Sequence, residues 1–196
     1  MTDWLIDGVE GLMGSPWVYV ALLALAALDG FFPIVPSETL AITAGVYAAA
    51  GDTNLVGVIV AAAAGAVAGD HIAYALGRLA RDRTRERKAF EWARQRLAER
   101  GGSIIIVCRY IPGARTATTL TAGAVGHPLR SFTPYDVIAG VSWGAYTALI
   151  GYLGGSTFED QPLLGVGVGL GLALTLAGII EMVRHLRSRA AVTAPS

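Results

Sequence analysis

The sequence predicts an all-α polytopic membrane protein, arranged as an inverted repeat with two re-entrant hairpins, three spanning helices and amphipathic surface helices. Hydrophobic residues make up 54% of the 196 residues and charged residues 15%, whereas an average soluble domain is roughly 25% charged. The mean hydropathy is +0.53. Several apolar stretches reach the length of about 20 residues that a helix needs to cross a bilayer. Two of the apolar stretches are broken by proline and glycine at matching places in the two halves.

The spanning helices are predicted from three long apolar stretches that contain few ionisable residues. The first stretch contains Asp70 and His71, and the second contains only Asp136. Stretches of this length and composition are typical of transmembrane helices. The whole chain, residues 1–196, is predicted to form one membrane domain with a cytoplasmic tail at 184–196. The three predicted spans are residues 54–77, 132–154 and 162–183.

Two further apolar segments, residues 17–50 and 103–126, do not fit continuous helices. The first contains Pro33 and Pro36 near its middle, and the second contains Pro112 followed by a glycine. Proline removes a backbone donor and clashes with the preceding helical turn. Non-helical backbone at membrane depth is tolerated only where protein buries it or where it lines a cavity. We therefore expect each segment to form a re-entrant hairpin.

Two segments favour amphipathic helices on the membrane surface. Residues 80–100 have strong helix propensity, with Phe90, Trp92 and Leu97 set among basic residues. A helix of this kind lies in the membrane interface, with its apolar face towards lipid. The alternative is a solvated polar helix without lipid contact, because the apolar stripe is thin. Residues 1–14 show a weaker version of the same pattern.

The order of surface helix, broken hairpin and spanning helix occurs twice, and the additional span follows at the end. Short matches support a repeat: Thr43–Val46 resembles Thr121–Val125, and Ala73–Gly77 resembles Ala145–Leu149. Broken segments at corresponding places in two halves are a sequence signal for the binding site of a transporter.

The distribution of basic residues predicts the orientation of the chain. Lysine and arginine cluster within residues 78–100 and recur after residue 184, whereas residues 155–161 contain acidic residues and no basic ones. Basic loops stay on the cytoplasmic side of the membrane. The two hairpins are then expected to enter from opposite sides and to meet tip to tip.

Ionisable residues within apolar segments are costly, so each is a candidate functional residue with a partner to be found. Arg109 and Arg115 flank the proline-glycine break of the second hairpin. Arginine presents a planar fork of donors that matches phosphate oxygens, and free backbone N–H groups at a helix start add positive potential. With the hydroxyls of Thr116 and Thr119, they form a predicted phosphate site. The six ionisable candidates are Asp29, Glu38, Asp70, Arg109, Arg115 and Asp136.

An alternative role for Arg109 and Arg115 is structural, because both arginines are expected within reach of Glu38 and Asp70. Ion pairs between them would hold the hairpins together. The two roles are compatible. A carboxylate near apolar surface gains a proton more readily, whereas a nearby arginine favours its charged form. Glu38 and Asp70 are therefore predicted to exchange protons as an anion enters and leaves. A purely arginine-paired Asp70 remains the alternative.

The histidines do not predict a metal site. His71, His127 and His185 are scattered without the spacing that metal ligands require. A membrane phosphatase or phosphotransferase would need a histidine nucleophile near an acid, or a metal-binding aspartate cluster, and neither spacing occurs. The sequence therefore predicts that the protein is not an enzyme and has no cofactor.

Three stretches resemble the DedA family of membrane proteins, also called the SNARE-associated or VTT family. The third contains an arginine pattern, R-Y-I-P-G-A-R, that is specific to the family, and the other two support it. The resemblance covers roughly residues 15–185. The stretches are FPIVPSETLAITAG (32–45), GDHIAYALGR (69–78) and CRYIPGART (108–116).

The resemblance implies a function and site residues. Family members are understood to move lipid phosphates across the bilayer, in bacteria notably undecaprenyl and other polyprenyl phosphates, driven by the proton motive force. By matching positions, the family's acidic residue in the first hairpin is Glu38, and its two arginines are Arg109 and Arg115. The second acidic position falls on Asp52 or Asp70. Eukaryotic relatives look like lipid scramblases.

The sequence and the resemblance together predict a flippase for a lipid phosphate, coupled to protons, in the bacterial inner (plasma) membrane as a multi-pass protein. Its expected partners are membrane lipids and protons, with no nucleic acid, and both a monomer and a homo-oligomer are open. The alternatives are a lipid scramblase and a membrane-homeostasis protein that transports nothing.

Overall fold

The computed structural model describes residues 11–32, 37–80, 88–111, 113–157 and 171, and these residues form helices and turns. No strand occurs among them, which confirms the all-helical prediction for this part of the chain. Residues 11–13 are also helical. The helices are α1 (Trp17–Phe31), α2 (Ser37–Ala50), α3 (Leu55–Leu79), α4 (Lys88–Arg109), α5 (Ala114–Ala124) and α6 (Leu129–Thr157).

Helices α3 and α6 are long and apolar enough to cross a membrane. Both are slightly longer than the stretches predicted for them. Large apolar side chains on their outer faces are exposed, including Val60 and Leu76 on α3 and Ile138 and Leu153 on α6. Such exposed apolar surface is costly in water and is expected where lipid surrounds the protein. The third predicted span, residues 162–183, lies outside the described residues apart from one position.

Helices α3 and α6 run antiparallel. A Cβ atom placed on Gly144 of α6 would lie 3.0 Å from the carbonyl oxygen of Ile59, near the start of α3. At the opposite end, the Tyr74 hydroxyl of α3 donates to the carbonyl of His127, just before α6. The turn after α3 and the turn before α6 therefore lie on one face of the molecule.

Each broken segment contains the end of one helix and the start of another. Helix α1 ends at Phe31 and α2 begins at Ser37, and the prolines between them lie outside the described residues. Helix α4 ends at Arg109 and α5 begins at Ala114. Gly113 caps α5 with φ of 73°, a left-handed conformation that glycine adopts without steric strain. The glycine that follows Pro112 in the sequence therefore contributes to the second break.

Each broken segment has two helical arms, which are α1 and α2 in the first segment and the end of α4 and α5 in the second. These arms pack on different long helices. Helix α1 packs chiefly on α3, α2 packs chiefly on α6, and α5 packs on α3. Each half of the chain thus places one arm against the long helix of the other half. The two halves are interlocked and share a core.

Four glycines allow these crossed contacts, because a side chain at any of them would overlap a backbone carbonyl. Gly45 of α2 packs on the carbonyl of Ala148, and Gly123 of α5 packs on that of Tyr74. The reverse contacts join Gly151 to the Ile42 carbonyl and Gly77 to the Leu120 carbonyl. The same arrangement therefore occurs in both halves of the molecule.

The contacts correct one detail of the repeat. Tyr74 and Ala148 hold equivalent places, because each offers its carbonyl to the glycine of the opposite arm. The match of Ala73–Gly77 with Ala145–Leu149 had instead aligned Tyr74 with Tyr146. That alignment was wrong by two residues, since similar letters in an alanine-rich helix do not fix its register.

The predicted surface helix at 80–100 is described from residue 88 onward and joins the next arm. Its backbone leaves helical geometry at Arg100, with φ of −140°, where a kink separates the two parts of α4. Leu97 is buried against Ile105 and Phe132 in an apolar cluster, whereas Trp92 is exposed. Part of the apolar stripe therefore packs on protein.

The first predicted surface helix, 1–14, lies mostly outside the described residues. Its last turn is fixed to the protein, because Met13 is buried and its carbonyl accepts a hydrogen bond of 2.6 Å from the Thr53 hydroxyl. The tail at 184–196 also lies outside the described residues.

Candidate functional site

A buried ion cluster lies where the two halves cross, and Arg109 is at its centre. Arg109 is the last residue of α4. Its Nη1 donates to Oδ2 of Asp70 at 2.6 Å and to Oδ1 of Asp136 at 3.4 Å. The three side chains are each 1% exposed. One guanidinium nitrogen therefore joins the end of α4 to both long helices.

Arg115, the second residue of α5, extends the cluster to the first broken segment. Its Nη2 donates to the backbone carbonyl of Asp29 and to the carboxylate of Asp29 at 3.2 Å. Its Nε lies 3.7 Å from Oδ1 of Asp70. The Ser37 hydroxyl donates to the same Asp29 carboxylate at 2.8 Å. Arg115 and Asp29 thus connect α5 to the end of α1 and the start of α2.

Close backbone approaches bring these groups together. A Cβ atom on Gly30 of α1 would lie 2.5 Å from the Cα atom of Gly69 on α3. This crossing places Asp29 and Asp70, the chain neighbours of the two glycines, next to each other. Thr116 fixes the same crossing from α5, because its hydroxyl donates to the Gly30 carbonyl at 3.2 Å.

The cluster contains more negative than positive formal charge. Arg109 and Arg115 face three carboxylates, those of Asp29, Asp70 and Asp136, so the fully ionised set carries one net negative charge. An uncompensated charge removed from water is costly. The cluster therefore has a physical reason to bind one additional proton.

Several polar atoms of the cluster have no hydrogen-bond partner among the described residues. They include Nε and Nη2 of Arg109, Oδ1 of Asp70 and Oδ2 of Asp136. Buried polar atoms are nearly always paired, and exceptions mark functional sites or unseen ligands. The Arg109 guanidinium also lies 5.7 Å from the ring centre of Trp143, within the range of a cation–π contact. Two donor nitrogens of the buried Arg109 side chain thus have no hydrogen-bond partner among the described residues.

His71 belongs to the cluster, although the sequence analysis gave it no role. Its Nδ1 lies 2.8 Å from the Val67 carbonyl and 3.3 Å from Oδ2 of Asp136. Its Nε2 lies 3.0 Å from the Thr133 hydroxyl. The signal in the sequence was its position next to Asp70 within an apolar helix, rather than any metal-ligand spacing.

Glu38 lies beside the cluster and is exposed. Its Oε1 accepts a hydrogen bond of 3.4 Å from Nε1 of Trp143, the residue whose ring faces Arg109. Among the described residues, Arg109 and Arg115 form ion pairs with aspartates only. The expected pairing of the arginines with Asp70 is observed, whereas their expected pairing with Glu38 is not, because Asp29 and Asp136 take that place.

The other predicted site residues differ in position. Thr119 is buried in α5, one turn beyond Arg115. Asp52 is exposed in the turn after α2, and its N–H donates to the Tyr47 carbonyl at 3.1 Å. Since a helix rises 1.5 Å per residue, α2 places Asp52 about 20 Å along the helix from Glu38. Asp52 is therefore remote from the ion cluster.

Comparison with known proteins places this sequence in a family. The family model described as the VTT domain matches residues 35–153, which include Glu38 and both arginines. Protein DedA of Escherichia coli (strain K12) is 30% identical over 190 residues, which cover 89% of this chain and 86% of that protein. No solved structure matches the chain significantly.

Other relatives are similarly distant. An uncharacterized membrane protein of Mycobacterium tuberculosis (strain ATCC 25618 / H37Rv) is 32% identical over 164 residues, covering 78% of this chain and 71% of that protein. An alkaline phosphatase-like protein of Lactococcus lactis subsp. cremoris (strain MG1363) is 26% identical over 159 residues, covering 72% of each chain. The match to the VTT domain and the similarity to DedA over most of both chains show that this protein belongs to the VTT-domain, or DedA, family of membrane proteins.

Proposed function

We propose that this protein is a multi-pass transporter of the bacterial inner membrane that moves a lipid phosphate, an undecaprenyl or other polyprenyl phosphate, across the bilayer. The observation that carries the proposal is the state of Arg109. It is 1% exposed, it lies next to a second arginine, and two of its donor nitrogens have no partner among the described residues. A buried arginine with unused donors is suited to bind an anion.

The chemistry of the cluster matches a phosphate headgroup. Arg109 and Arg115 both reach the Asp70 carboxylate, one at each oxygen. A phosphate monoester also presents several oxygens, and arginine binds such groups through its planar fork of donors. A headgroup would therefore replace the Asp70 carboxylate between the arginines. Thr116 and Thr119 lie on α5 with Arg115; Thr119 supplies a further hydroxyl donor, and Thr116 supplies one when its bond to the Gly30 carbonyl is released.

The proposal places the cluster near the middle of the membrane. Helices α3 and α6 have the length and composition of spanning helices, and the basic 78–100 segment marks the cytoplasmic side. The broken segments then enter as re-entrant hairpins from opposite sides, and their ends meet at the arginines. Transporters bind substrates at such interrupted helices near the bilayer midplane.

Proton coupling follows from competition for the arginines. A charged carboxylate holds a guanidinium, whereas a protonated one releases it to a phosphate. Asp70 is suited to this role because it contacts both arginines. We assign a second role to Glu38, which acts through Trp143 at the edge of the site. Proton uptake thus favours binding of the anion, and proton loss favours its release.

Flux measurements in liposomes test the proposal with Arg115→Lys. Lysine keeps the charge but cannot make the two contacts of Arg115 to Asp29 and Asp70 at once. We therefore expect lipid-phosphate flux to fall roughly 100-fold or more. This fall corresponds to the loss of one charge-assisted contact, which contributes about 3 kcal/mol. Arg130→Lys, on the exposed first turn of α6, is the matched control and is expected to keep wild-type flux. Wild-type flux in Arg115→Lys would contradict the bidentate site.

The same liposomes separate the alternative functions. Arg109 and Arg115 already have carboxylate partners. This observation favours a membrane-homeostasis role in which the ion pairs only hold the helices together. The absence of flux by the folded wild-type protein would support that role. Flux of the lipid phosphate that ignores a pH gradient would instead indicate a scramblase. Release of inorganic phosphate would indicate an enzyme, in line with the name of the alkaline phosphatase-like relative from Lactococcus lactis.

A further inference from the structure

Asp136 is the second carboxylate at Arg109, and the phosphate site does not require it. Its side chain is 1% exposed, and its Oδ2 has no hydrogen-bond partner among the described residues. His71 is an ionisable group on that side, and its Nδ1 lies 3.3 Å away. Asp136 therefore has one oxygen directed at Arg109 and the other at a histidine.

His71 connects Asp136 to a more exposed region. Its side chain is 30% exposed, in contrast to 1% for Asp136. It lies near the end of α3, eight residues before Leu79, and its partner Thr133 lies in the second turn of α6. Both helix ends are on the side that carries the basic 78–100 segment. Thr133 lies about one turn nearer the start of α6 than Asp136 does, so in the proposed orientation Nε2 of His71 is directed towards the cytoplasmic side, whereas Nδ1 approaches Asp136.

The hydrogen bonds of His71 suit both of its protonation states. Since the Val67 carbonyl can only accept, Nδ1 carries a hydrogen. In the neutral ring, Nε2 then accepts from the Thr133 hydroxyl. In the protonated ring, Nε2 donates, and the same hydroxyl rotates and accepts, because a hydroxyl can do either. The imidazole can gain a proton without losing a hydrogen-bond partner.

We propose that His71 and Asp136 form a proton-transfer pair that loads and unloads the ion cluster from the cytoplasmic side. The inference rests on the proposed function for its transport role, but the binding of the proton itself does not depend on transport. The charged and titratable groups that face the pair are Asp70 from α3, Arg109 from α4, Arg115 from α5 and, through Arg115, Asp29 from α1.

The transfer balances in protons. Water delivers a proton to Nε2 of His71, which gives the imidazolium. Nδ1 then releases its proton to Oδ2 of Asp136, which leaves a neutral imidazole protonated at Nε2 and a neutral carboxylic acid. Nδ1 loses its bond to the Val67 carbonyl in this step, and the new carboxylic acid O–H donates to Nδ1 in its place. The reverse sequence returns the proton to the cytoplasm. While Asp136 is neutral, the net charge of the cluster is zero and its hold on Arg109 is weaker, so a phosphate competes better for the guanidinium.

Infrared spectroscopy of the purified protein tests the pair without any transport measurement. The carbonyl stretch of a protonated carboxylic acid should appear as pH falls, and Asp136→Asn should remove it. His71→Gln keeps a side chain that can bond to Thr133 but cannot titrate, so it should shift the midpoint of that band and slow its hydrogen–deuterium exchange. Glu99→Gln, at an exposed ion pair with Arg96 on α4, is the control and should leave the band unchanged.

Two results would overturn the pair: an unchanged band in Asp136→Asn, or an identical midpoint and exchange rate in His71→Gln. If the protein proves hard to fold with asparagine at position 136, the His71→Gln comparison decides alone. Flux in liposomes then separates this inference from the proposed function. A titrating band in a wild-type protein without flux would reject the transport function but support the proton-transfer pair. Flux driven by a pH gradient at wild-type levels in both variants would reject the proton-transfer pair but support the transport function.

Discussion

Arg109 shows how single residues determine the properties of this site. Its guanidinium is buried, with Asp70 and Asp136 on one nitrogen and the Trp143 ring on its face. A buried ion pair adds little net stability, but removal of one partner costs about 3–5 kcal/mol because the other charge is left unpaired. Beside this arrangement, Gly140 allows α6 to pack closely on α3, since a Cβ there would lie 2.9 Å from Cγ2 of Val67.

His127 permits a prediction outside the ion cluster and outside the spanning helices. Burial lowers the pKa of His127 below its usual 6.5, and its Nε2 is buried without a hydrogen-bond partner among the described residues. The unfolded chain therefore binds a proton at higher pH than the folded protein does. The folded protein loses stability as pH falls below about 6.5 towards the lowered pKa.

Thermal unfolding of the detergent-solubilised protein measures this loss. We expect the wild-type Tm to fall as the medium is acidified below about pH 6.5, and the His127→Gln variant to show a smaller fall. The Tyr74 hydroxyl bonds to the backbone carbonyl of residue 127, so the substitution keeps that contact. Because other groups titrate in the same range, only the difference between the two proteins counts. Parallel Tm curves would show that His127 contributes nothing to the pH dependence.

The ionisable residues were identifiable from the sequence, but only part of their pairing was. Asp29, Asp70, Asp136 and both arginines stand out because charge is rare in apolar helices. Which carboxylate meets which arginine depends on where α1 crosses α3 and where α4 meets α6. Asp29 becomes the partner of Arg115 through the approach of Gly30 to Gly69, a contact between distant segments that local sequence does not encode.

At the scale of helices, local sequence signals mark several helix ends. Proline and glycine mark the breaks near residues 33 and 113, and Asn54 caps α3 by accepting a hydrogen bond of 2.9 Å from the Gly57 N–H. The packing partners of the arms were not predictable in this way. Helices α1 and α2 pack mainly on different long helices, because each presents small residues to a different neighbour.

The glycine contacts give a prediction at this scale. Gly123→Ala places a methyl group against the Tyr74 carbonyl, and Gly45→Ala places one against that of Ala148. Each should destabilise the protein by about 1–3 kcal/mol through overpacking. Because the positions are equivalent in the two halves, the two losses should be similar. Gly11, also helical but with open space around its Cβ position, is the control.

Unfolding by denaturant in mild detergent compares these variants. We expect Gly11→Ala to match or slightly exceed the wild-type stability, since alanine favours a helix over glycine by about 1 kcal/mol. A neutral effect at Gly45 together with a large loss at Gly123 would contradict the internal symmetry. Two neutral effects would contradict the close packing of the arms altogether.

For the whole molecule, the interlocked halves determine what can move. Helix α2 packs on α6 and α5 packs on α3, so neither half can separate as a rigid unit without breaking the contacts of the other. The ion cluster lies at the crossing and joins α1, α3, α4, α5 and α6. Binding or release of a proton there changes the charge at the one place where nearly all the described helices meet. The site is therefore positioned to couple a local charge change to the relative position of the arms.

The last prediction concerns the orientation of the whole chain in the membrane. Since α3 and α6 are antiparallel, the end of α3 at Leu79 and the turn at His127 share one face, and the end of α6 at Thr157 lies on the other. The basic residues of the first face predict that it is cytoplasmic. Single cysteines in a Cys108→Ser background test this assignment with a membrane-impermeant thiol reagent on intact cells. We expect Phe158→Cys to be labelled directly, and Arg94→Cys to be labelled only after the cells are opened. Labelling of Arg94→Cys alone in intact cells would show that the chain has the opposite orientation, with His71 towards the outer side. Labelling of both positions would show that they share a face and would contradict the antiparallel arrangement.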